Sequence, residues 1–214
     1  MSRIVIDTSA LVGNDVLNTG GGNDTVAAGR GFDVLNGQDG TDRLIMDWSA
    51  IADTNADIRL SYIGNGWYRY DAGGLARTDF VNFEQFTLKG GAGDDWLGGG
   101  ALIDELVGGA GNDTLDGGAG TDKVAGDAGV DLWNVNTAAR GSATNINLVA
   151  QTANTGATLS GVERINYTGG NAADTVVALA GVFNDTFFTG DGRDVVVTGR
   201  GIDSADGGLG SNDV

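Results

Sequence analysis

The chain repeats itself every nine residues, and this period constrains its fold more than any other feature. Residues 10–45 divide into four consecutive nonads, residues 90–134 into five, and residues 169–177 and 180–206 into four more after a two-residue slip. Slot six of the nonad is Asp in all thirteen, slot eight is apolar in all thirteen, and slot four is Gly in ten. A fixed period of this kind predicts stacked structural repeats.

Each part of the nonad has a structural meaning. An apolar slot eight between two variable slots predicts a short strand with one inward side chain. The Gly-rich slots one to four predict a turn. Strands this short cannot hold a fold individually, so the coils must stack and bury the slot-eight residues as a ladder. The sequence therefore predicts an all-β solenoid.

The same stacking places the slot-six aspartates about 4.8 Å apart, the spacing between neighbouring strands. Carboxylates at this distance repel each other unless a cation lies between them. Ca²⁺ suits such a position because it prefers carboxylate and carbonyl oxygens and accepts flexible geometry. A calcium-binding repeat is the favoured interpretation, and a Gly/Asp-rich repeat that folds without metal is the alternative.

Composition excludes several other classes of protein. A net charge of −17, from 29 acidic and 12 basic residues, argues against binding to nucleic acid or to an anionic membrane surface. The absence of His and Cys excludes catalytic triads, thiolate metal sites and disulfides. No apolar stretch is long enough for membrane insertion, and the N-terminus lacks the apolar region of a secretory signal peptide. We therefore expect that the chain is not an enzyme.

The nonads resemble G-G-x-G-x-D-x-U-x, where U is a large apolar residue, the pattern of the repeats-in-toxin (RTX) or hemolysin-type calcium-binding family. The resemblance implies a right-handed parallel β-roll in which two nonads make one coil, so that paired ligands lie eighteen residues apart. It also implies about six bound Ca²⁺ ions as the cofactor. One loop would supply its slot-six Asp and carbonyls from slots two and four, and the loop one coil later its own Asp and carbonyls from slots one and three.

The implied ligands follow from these slots. The carboxylate ligands would be Asp15, Asp24, Asp33, Asp42, Asp95, Asp104, Asp113, Asp122, Asp131, Asp185, Asp194 and Asp203. The carbonyl ligands would be those of Gly20, Gly22, Gly37, Asp39, Gly91, Gly93, Gly108, Gly109, Ala110, Gly111, Gly117, Ala119, Gly126 and Ala128. Leu102 replaces a slot-four Gly and is expected to weaken the Asp104 site. Asp194 would meet Asn212, and Asp174 is left out.

We expect one continuous β-roll over residues 1–214, with nonad blocks 10–45, 90–134 and 169–214 and strand-rich inserts 46–89 and 135–168. The inserts resemble each other: Phe80, Phe83-Glu84, Phe86 and Leu88 align at a constant offset with Leu159, Val162-Glu163, Ile165 and Tyr167. Their alternating apolar residues predict an edge strand leading back into the roll. Because the chain stops inside a nonad, we expect it to be part of a longer array.

The first insert also contains a hairpin signal. Residues 58–63 and 67–70 flank Gly64-Asn65-Gly66, a good turn sequence. Tyr62, Trp67, Tyr68 and Tyr70 concentrate there. They form either a patch for cell-surface or glycan contact, or a cluster that packs against the flank of the roll.

The leading functional hypothesis is a calcium-binding RTX module of a secreted bacterial protein. Such a module would be disordered without Ca²⁺ and would fold on binding Ca²⁺ outside the cell, with a type I secretion system as its partner. The alternative is a structural spacer or binding region of a cell-surface adhesin or an S-layer-like protein. Both hypotheses place the chain in the extracellular space or on the bacterial surface.

Overall fold

The computed structural model describes residues 3–10 and 12–209, and all regular secondary structure in these residues is β. The described residues form 22 strands, most of three to six residues, as expected for strands built around a single inward side chain. In the same ranges there is no helix with the length and apolarity that a membrane span requires.

The strands, numbered in chain order, form two sheets of eleven. Sheet one has the spatial order β1 (Val5–Asp7), β3 (Thr25–Ala28), β5 (Arg43–Asp47), β9 (Gln85–Lys89), β11 (Glu105–Ala110), β13 (Lys123–Ala128), β17 (Thr158–Ser160), β16 (Thr152–Ala153), β15 (Asn145–Asn147), β19 (Thr175–Val177) and β21 (Val195–Val197). Sheet two has the order β2 (Val16–Asn18), β4 (Phe32–Asn36), β8 (Arg77–Val81), β7 (Trp67–Ala72), β6 (Ile58–Gly64), β10 (Trp96–Gly98), β12 (Thr114–Asp116), β14 (Leu132–Asn136), β18 (Arg164–Thr168), β20 (Thr186–Phe188) and β22 (Ser204–Asp206).

Successive nonads alternate between the two sheets, so two nonads make one coil. Within the blocks, strands of consecutive coils pair in parallel at a separation of eighteen residues, as in Val16↔Val34 and Trp96↔Thr114. The two-residue slip lengthens one coil of the third block, where Thr175 pairs with Val195. The predicted parallel β-roll is therefore confirmed.

The core lies between the sheets, and the slot-eight ladder supplies ten of the thirty buried apolar residues in the described part of the chain. The buried slot-eight residues are Val26, Leu35, Leu44, Leu97, Leu106, Leu115, Val124, Trp133, Val176 and Phe187. Leu17 and Val196, near the ends of the described chain, are only partly buried, and Ala205 is exposed. Burial of the ladder therefore requires a coil on both sides.

Slot four shows why glycine is needed in some coils and not in others. In seven nonads, a Cβ on the slot-four Gly would lie only 1.6 to 2.7 Å from the slot-four carbonyl oxygen one coil earlier. Gly129 is the tightest case, with a φ of 148° and a hypothetical Cβ 1.6 Å from the oxygen of Gly111. Slot four is not glycine at Leu102, Ala172 and Phe183. In each of these coils the residue contributes the carbonyl oxygen that faces the glycine one coil later, and its φ is not positive.

The inserts continue the sheets by antiparallel excursions. In the first, β6, β7 and β8 form an antiparallel meander in sheet two, while β9 runs parallel between β5 and β11 of sheet one. In the second, β15, β16 and β17 form the meander in sheet one, and β18 lies between β14 and β20 of sheet two. The sheets are exchanged because five nonads, an odd number of half-coils, separate the inserts.

The prediction that each insert contributes an edge strand is wrong. β9 and β18, which carry the last two apolar residues of each aligned set, are interior strands with a parallel neighbour on each side. Phe86 and Leu88 alternate with polar residues because both of their side chains are buried in the core. The backbone of β9 pairs with β5 on one side and β11 on the other.

The predicted hairpin is present, with Asn65 and Gly66 at positive φ in its turn. Its aromatic residues differ in exposure. Tyr70 is fully buried and stacks on Phe80, whereas Tyr62 and Tyr68 are 61% and 42% exposed. The hairpin therefore both packs on the roll and leaves an aromatic surface open.

Candidate calcium-binding rows

The slot-six carboxylates stand in two rows, each at the edge where the loops enter one of the sheets. We define the first acidic row as Asp24, Asp42, Glu84, Asp104, Asp122, Asp174 and Asp194, and the second as Asp15, Asp33, Asp95, Asp113, Asp131, Glu163, Asp185 and Asp203. The rows follow from the fold because each Asp lies directly before a strand or, as Asp33 does, within its first two residues, and neighbouring strands are in register.

Where one nonad stacks on another, the Oδ1 atom of the slot-six Asp holds the preceding coil by accepting a hydrogen bond from the slot-six N–H of that coil. Every predicted pair of aspartates within the described chain is brought together in this way. The donor and acceptor residues and their distances are Asp15 to Asp33, 3.0 Å; Asp24 to Asp42, 2.7 Å; Asp95 to Asp113, 2.8 Å; Asp104 to Asp122, 3.0 Å; Asp113 to Asp131, 2.8 Å; and Asp185 to Asp203, 3.0 Å. The expected pairing of Asp194 with Asn212 lies outside the described residues.

The Oδ2 atoms are different, because many of them are buried without a hydrogen-bond partner. This group consists of the Oδ2 atoms of Asp24, Asp33, Asp42, Asp113, Asp131 and Asp185. A buried carboxylate oxygen without a partner is costly, and a nearby cation is the usual compensation. These atoms are therefore the strongest structural sign that the rows fit a metal.

Main-chain oxygens lie close to these atoms. A Cβ on Gly108 would be 2.1 Å from Asp113 Oδ2 and 2.8 Å from the carbonyl oxygen of Gly126 in the next coil. A Cβ on Gly117 would be 2.6 Å from Asp122 Oδ2. A slot-one glycine such as Gly108 therefore leaves a space beside a carboxylate oxygen and a carbonyl oxygen. Any side chain at slot one would fill that space.

The predicted carbonyl ligands lie on the stacked loops and also join them. The carbonyls of Gly20, Asp39, Gly91 and Ala128 accept backbone hydrogen bonds from neighbouring loops, and the Gly37 carbonyl accepts one from Thr19 Oγ1. Those of Gly22, Gly93 and Gly111 face the slot-four glycine one coil later, and that of Gly91 faces Gly109. A carbonyl oxygen has two lone pairs, so a hydrogen-bonded carbonyl keeps one for a metal.

Calcium would need these carbonyls, since carboxylates alone do not complete a site. In the described part of the chain, no group of three or more Asp or Glu side chains converges in a way that could hold a metal. Two carboxylates and four carbonyls from adjacent loops would give six oxygens, the lower end of calcium coordination.

Burial disfavours the charged form of the row carboxylates. Burial, with a smaller contribution from neighbouring carboxylates, raises the pKa of Asp113 to about 7. The pKa values of Asp95, Asp122 and Asp131 are raised to about 6 for the same reason. Burial also raises the pKa values of Asp33, Asp42, Asp104 and Asp185. Without a cation, the folded roll must keep these groups protonated or bear the cost of their charge.

Asp95, Asp104 and Asp174 are row aspartates whose Oδ2 atom has a protein partner. Asp95 accepts from the Gly91 N–H at 2.7 Å and Asp104 from the Gly100 N–H at 2.6 Å. Asp174 accepts from the Tyr167 hydroxyl at 2.6 Å. Asp174, left out of the predicted ligands, stands in the first row and donates its N–H to Asp194 Oδ1 at 2.8 Å. Leu102 does not prevent the contact between Asp104 and Asp122.

Slot five forms a second ladder that the sequence analysis missed. Here an Asn or Asp side chain accepts from the slot-five N–H one coil later, as Asn23 does from Thr41 and Asn112 from Val130. Asp94 does the same for Asn112 at 2.7 Å. The signal was present in the nonads, because slot five is repeatedly Asn or Asp before the invariant Asp.

Comparison with known families agrees with this geometry. A model of the RTX calcium-binding nonapeptide repeat matches residues 10–35, 18–45, 87–105, 98–132, 168–205 and 179–214. The matches together cover more than half of the chain, which therefore belongs to the RTX calcium-binding nonapeptide repeat family. The chain is a calcium-binding repeat module, and this family is a structural rather than an enzymatic one. A search of curated proteins finds no match.

Proposed function

We propose that the chain is a calcium-dependent folding module of a secreted bacterial protein. It stays unfolded without Ca²⁺, crosses a type I secretion system in that state, and folds outside the cell. The observation that carries this proposal is the set of six buried, unpartnered Oδ2 atoms in two rows.

The energetics favour such a switch. Folding buries the row carboxylates and brings like charges within one strand spacing, whereas in the unfolded chain they are hydrated and apart. Many of the strands have only three residues, and folded proteins are only marginally stable, so little surplus stability is left to offset that cost. When bound, calcium supplies the positive charge that removes the repulsion. Because only the folded loops gather the oxygens, calcium binding shifts the equilibrium toward the roll.

The proposed ligands are the paired slot-six aspartates of the nonads together with the slot one to four carbonyls of adjacent loops. About six ions would compensate about twelve of the seventeen net negative charges. Extracellular calcium sites have dissociation constants of about 10⁻⁴ to 10⁻³ M. Sites of this affinity would be empty in the cytosol and filled outside the cell.

Small-angle X-ray scattering tests the proposal through the size of the whole chain. In excess chelator, we expect a radius of gyration near that of an unfolded chain of this length, about 50 Å. Millimolar Ca²⁺ should reduce it sharply. A chain that is equally compact in chelator and in Ca²⁺ would exclude calcium-dependent folding.

A surface-binding role is a second candidate, because the Tyr62 and Tyr68 rings remain exposed and meet edge to face with centroids 5.2 Å apart. Exposed aromatic rings of this kind suit stacking on sugar rings. A glycan array probed with the calcium-loaded chain tests it. Glycan binding that is lost in Tyr62→Ala would support an adhesin. If the array gives no signal, the surface-binding role is rejected and the folding role is the one that remains.

A further inference from the structure

Two glutamates outside the nonads occupy slot-six positions. Glu84 directly precedes Gln85, which pairs with the slot-seven residue Arg43. Glu163 directly precedes Arg164, which pairs with the slot-seven residue Leu132. Each glutamate is therefore the next member of an acidic row, at a junction between a nonad block and an insert.

The two junctions make the same backbone contacts. The Asp42 N–H donates to Glu84 Oε2 at 2.8 Å, and the Asp131 N–H donates to Glu163 Oε2 at 3.0 Å. In return, the N–H groups of each glutamate and of the residue after it donate to the carbonyl of that aspartate, at 2.9 to 3.1 Å. Glutamate therefore holds the preceding coil just as the slot-six Asp does elsewhere.

A left-handed residue stands two positions before each glutamate and aims a carbonyl at the same place. Asn82 has a φ of 56° and Gly161 a φ of 58°. A Cβ on Gly37 would lie 1.9 Å from the Asn82 oxygen and 2.6 Å from Asp42 Oδ2. On Gly126, it would lie 1.9 Å from the Gly161 oxygen and 2.3 Å from Asp131 Oδ2.

One oxygen of each aspartate, Oδ2, lacks a hydrogen-bond partner at these places. Asp42 and Asp131 are both fully buried, and the Oδ2 atom of each has no hydrogen-bond partner. Each unpartnered oxygen lies beside the space above a slot-one glycine, next to an insert carbonyl. A buried anionic oxygen in this setting points to a cation.

We propose that each junction is a further calcium site. The first would use the Asp42 and Glu84 carboxylates with the Asn82 carbonyl, and the second the Asp131 and Glu163 carboxylates with the Gly161 carbonyl. The inference rests on the proposed binding of calcium by the rows. It goes beyond the nonads, because the family match includes neither Glu84 nor Glu163. Such sites would make the inserts part of the calcium-dependent fold.

Counting bound calcium per chain by native mass spectrometry at saturating Ca²⁺ tests the proposal. Glu84→Gln and Glu163→Gln keep a side-chain oxygen for the hydrogen bond but remove the charge. Each should lower the count by one ion, and the double variant by two. Glu105→Gln is the matched control, because the half-exposed Glu105 side chain lies outside both rows and is 4.0 Å from Lys123 Nζ.

The outcomes separate this inference from the proposed function. A wild-type chain that binds no calcium would overturn both. A wild-type chain that binds several ions, with unchanged counts in both glutamine variants, would overturn the junction sites alone. Far-UV circular dichroism at saturating Ca²⁺ checks that each variant is folded, and if one is not, the other junction decides.

Discussion

At the scale of single residues, the slot-six aspartate combines two tasks. Its Oδ1 atom accepts the N–H of the preceding coil, and in six aspartates the buried Oδ2 atom lacks a protein partner. The first task needs only an oxygen, and asparagine could perform it. The second needs a negative charge, so the two tasks can be separated by mutation.

Asp113→Asn makes this separation at the centre of the longest run of slot-six aspartates, between Asp95 and Asp131. The amide oxygen keeps the contact with the Asp95 N–H, but two proposed sites lose a charged ligand. We expect the Ca²⁺ concentration at the folding midpoint to rise about tenfold, and the residual fold in chelator to increase because a buried charge is gone. Circular dichroism during a Ca²⁺ titration measures both effects.

Asp53→Asn is the control, because it removes the same charge from an exposed position in the first insert. An unchanged midpoint in Asp113→Asn, or an equal shift in both variants, would mean that the row carboxylates do not bind the ion.

The raised pKa values predict opposite pH dependence with and without calcium. In the calcium-depleted chain, the pKa of Asp113 rises from 3.8 to about 7 on folding, and that of Asp95 to about 6. The folded state then binds more protons than the unfolded state between about pH 4 and pH 7, so its stability falls as pH rises through this range. Acidification from pH 7 to pH 5 should therefore increase the folded fraction.

With saturating Ca²⁺ the slope should reverse, because protons then compete with the metal for the carboxylates. Circular dichroism at a series of pH values measures both curves. If the calcium-depleted chain lost structure on acidification across the same range, the assigned cost of burying the rows would be wrong.

At the scale of the elements, the coil is the unit that buries apolar surface. Val176 on β19 pairs with Val196 on β21, yet Val176 is fully buried and Val196 only partly. Val176→Ala should lower the free energy of unfolding by about 2 kcal/mol, since it removes buried methyl groups and leaves a cavity. Val196→Ala should cost less than about 1 kcal/mol.

Urea unfolding at saturating Ca²⁺ compares the two valine variants. The substitution is the same in both, so only the position in the stack differs. Equal losses of stability would contradict the view that a slot-eight side chain depends on the coils that flank it.

The nonad strands could be predicted from sequence, and the inserts only in part. Within a block the period fixes which residue faces inward, and the resemblance to the RTX family, in which two nonads make one coil, implied the pairing of Asp95 with Asp113. The interior position of β9 depends on β5 and β11, which no local pattern identifies. The sequence did not identify Glu84 as a row member, because the residues before it lack the glycines that precede slot six in the nonads.

At the scale of the whole molecule, two sheets and two rows of carboxylates run through blocks and inserts alike. The β-sheet backbone carries no net charge. The negative charge of the two edges comes from the slot-six carboxylates, in agreement with the net charge of −17. The stability of such a molecule is tied to the cations available to it. Folding should therefore respond to calcium as a whole.

Far-UV circular dichroism of the chelated chain, titrated in parallel with Ca²⁺ and with Mg²⁺, tests this central claim most directly. We predict a cooperative gain of β signal at sub-millimolar to millimolar Ca²⁺ and no comparable gain with Mg²⁺, which requires stricter octahedral geometry and releases its water reluctantly. A chain that already shows the full β signal in excess chelator would contradict the account, because packing alone would then tolerate the acidic rows.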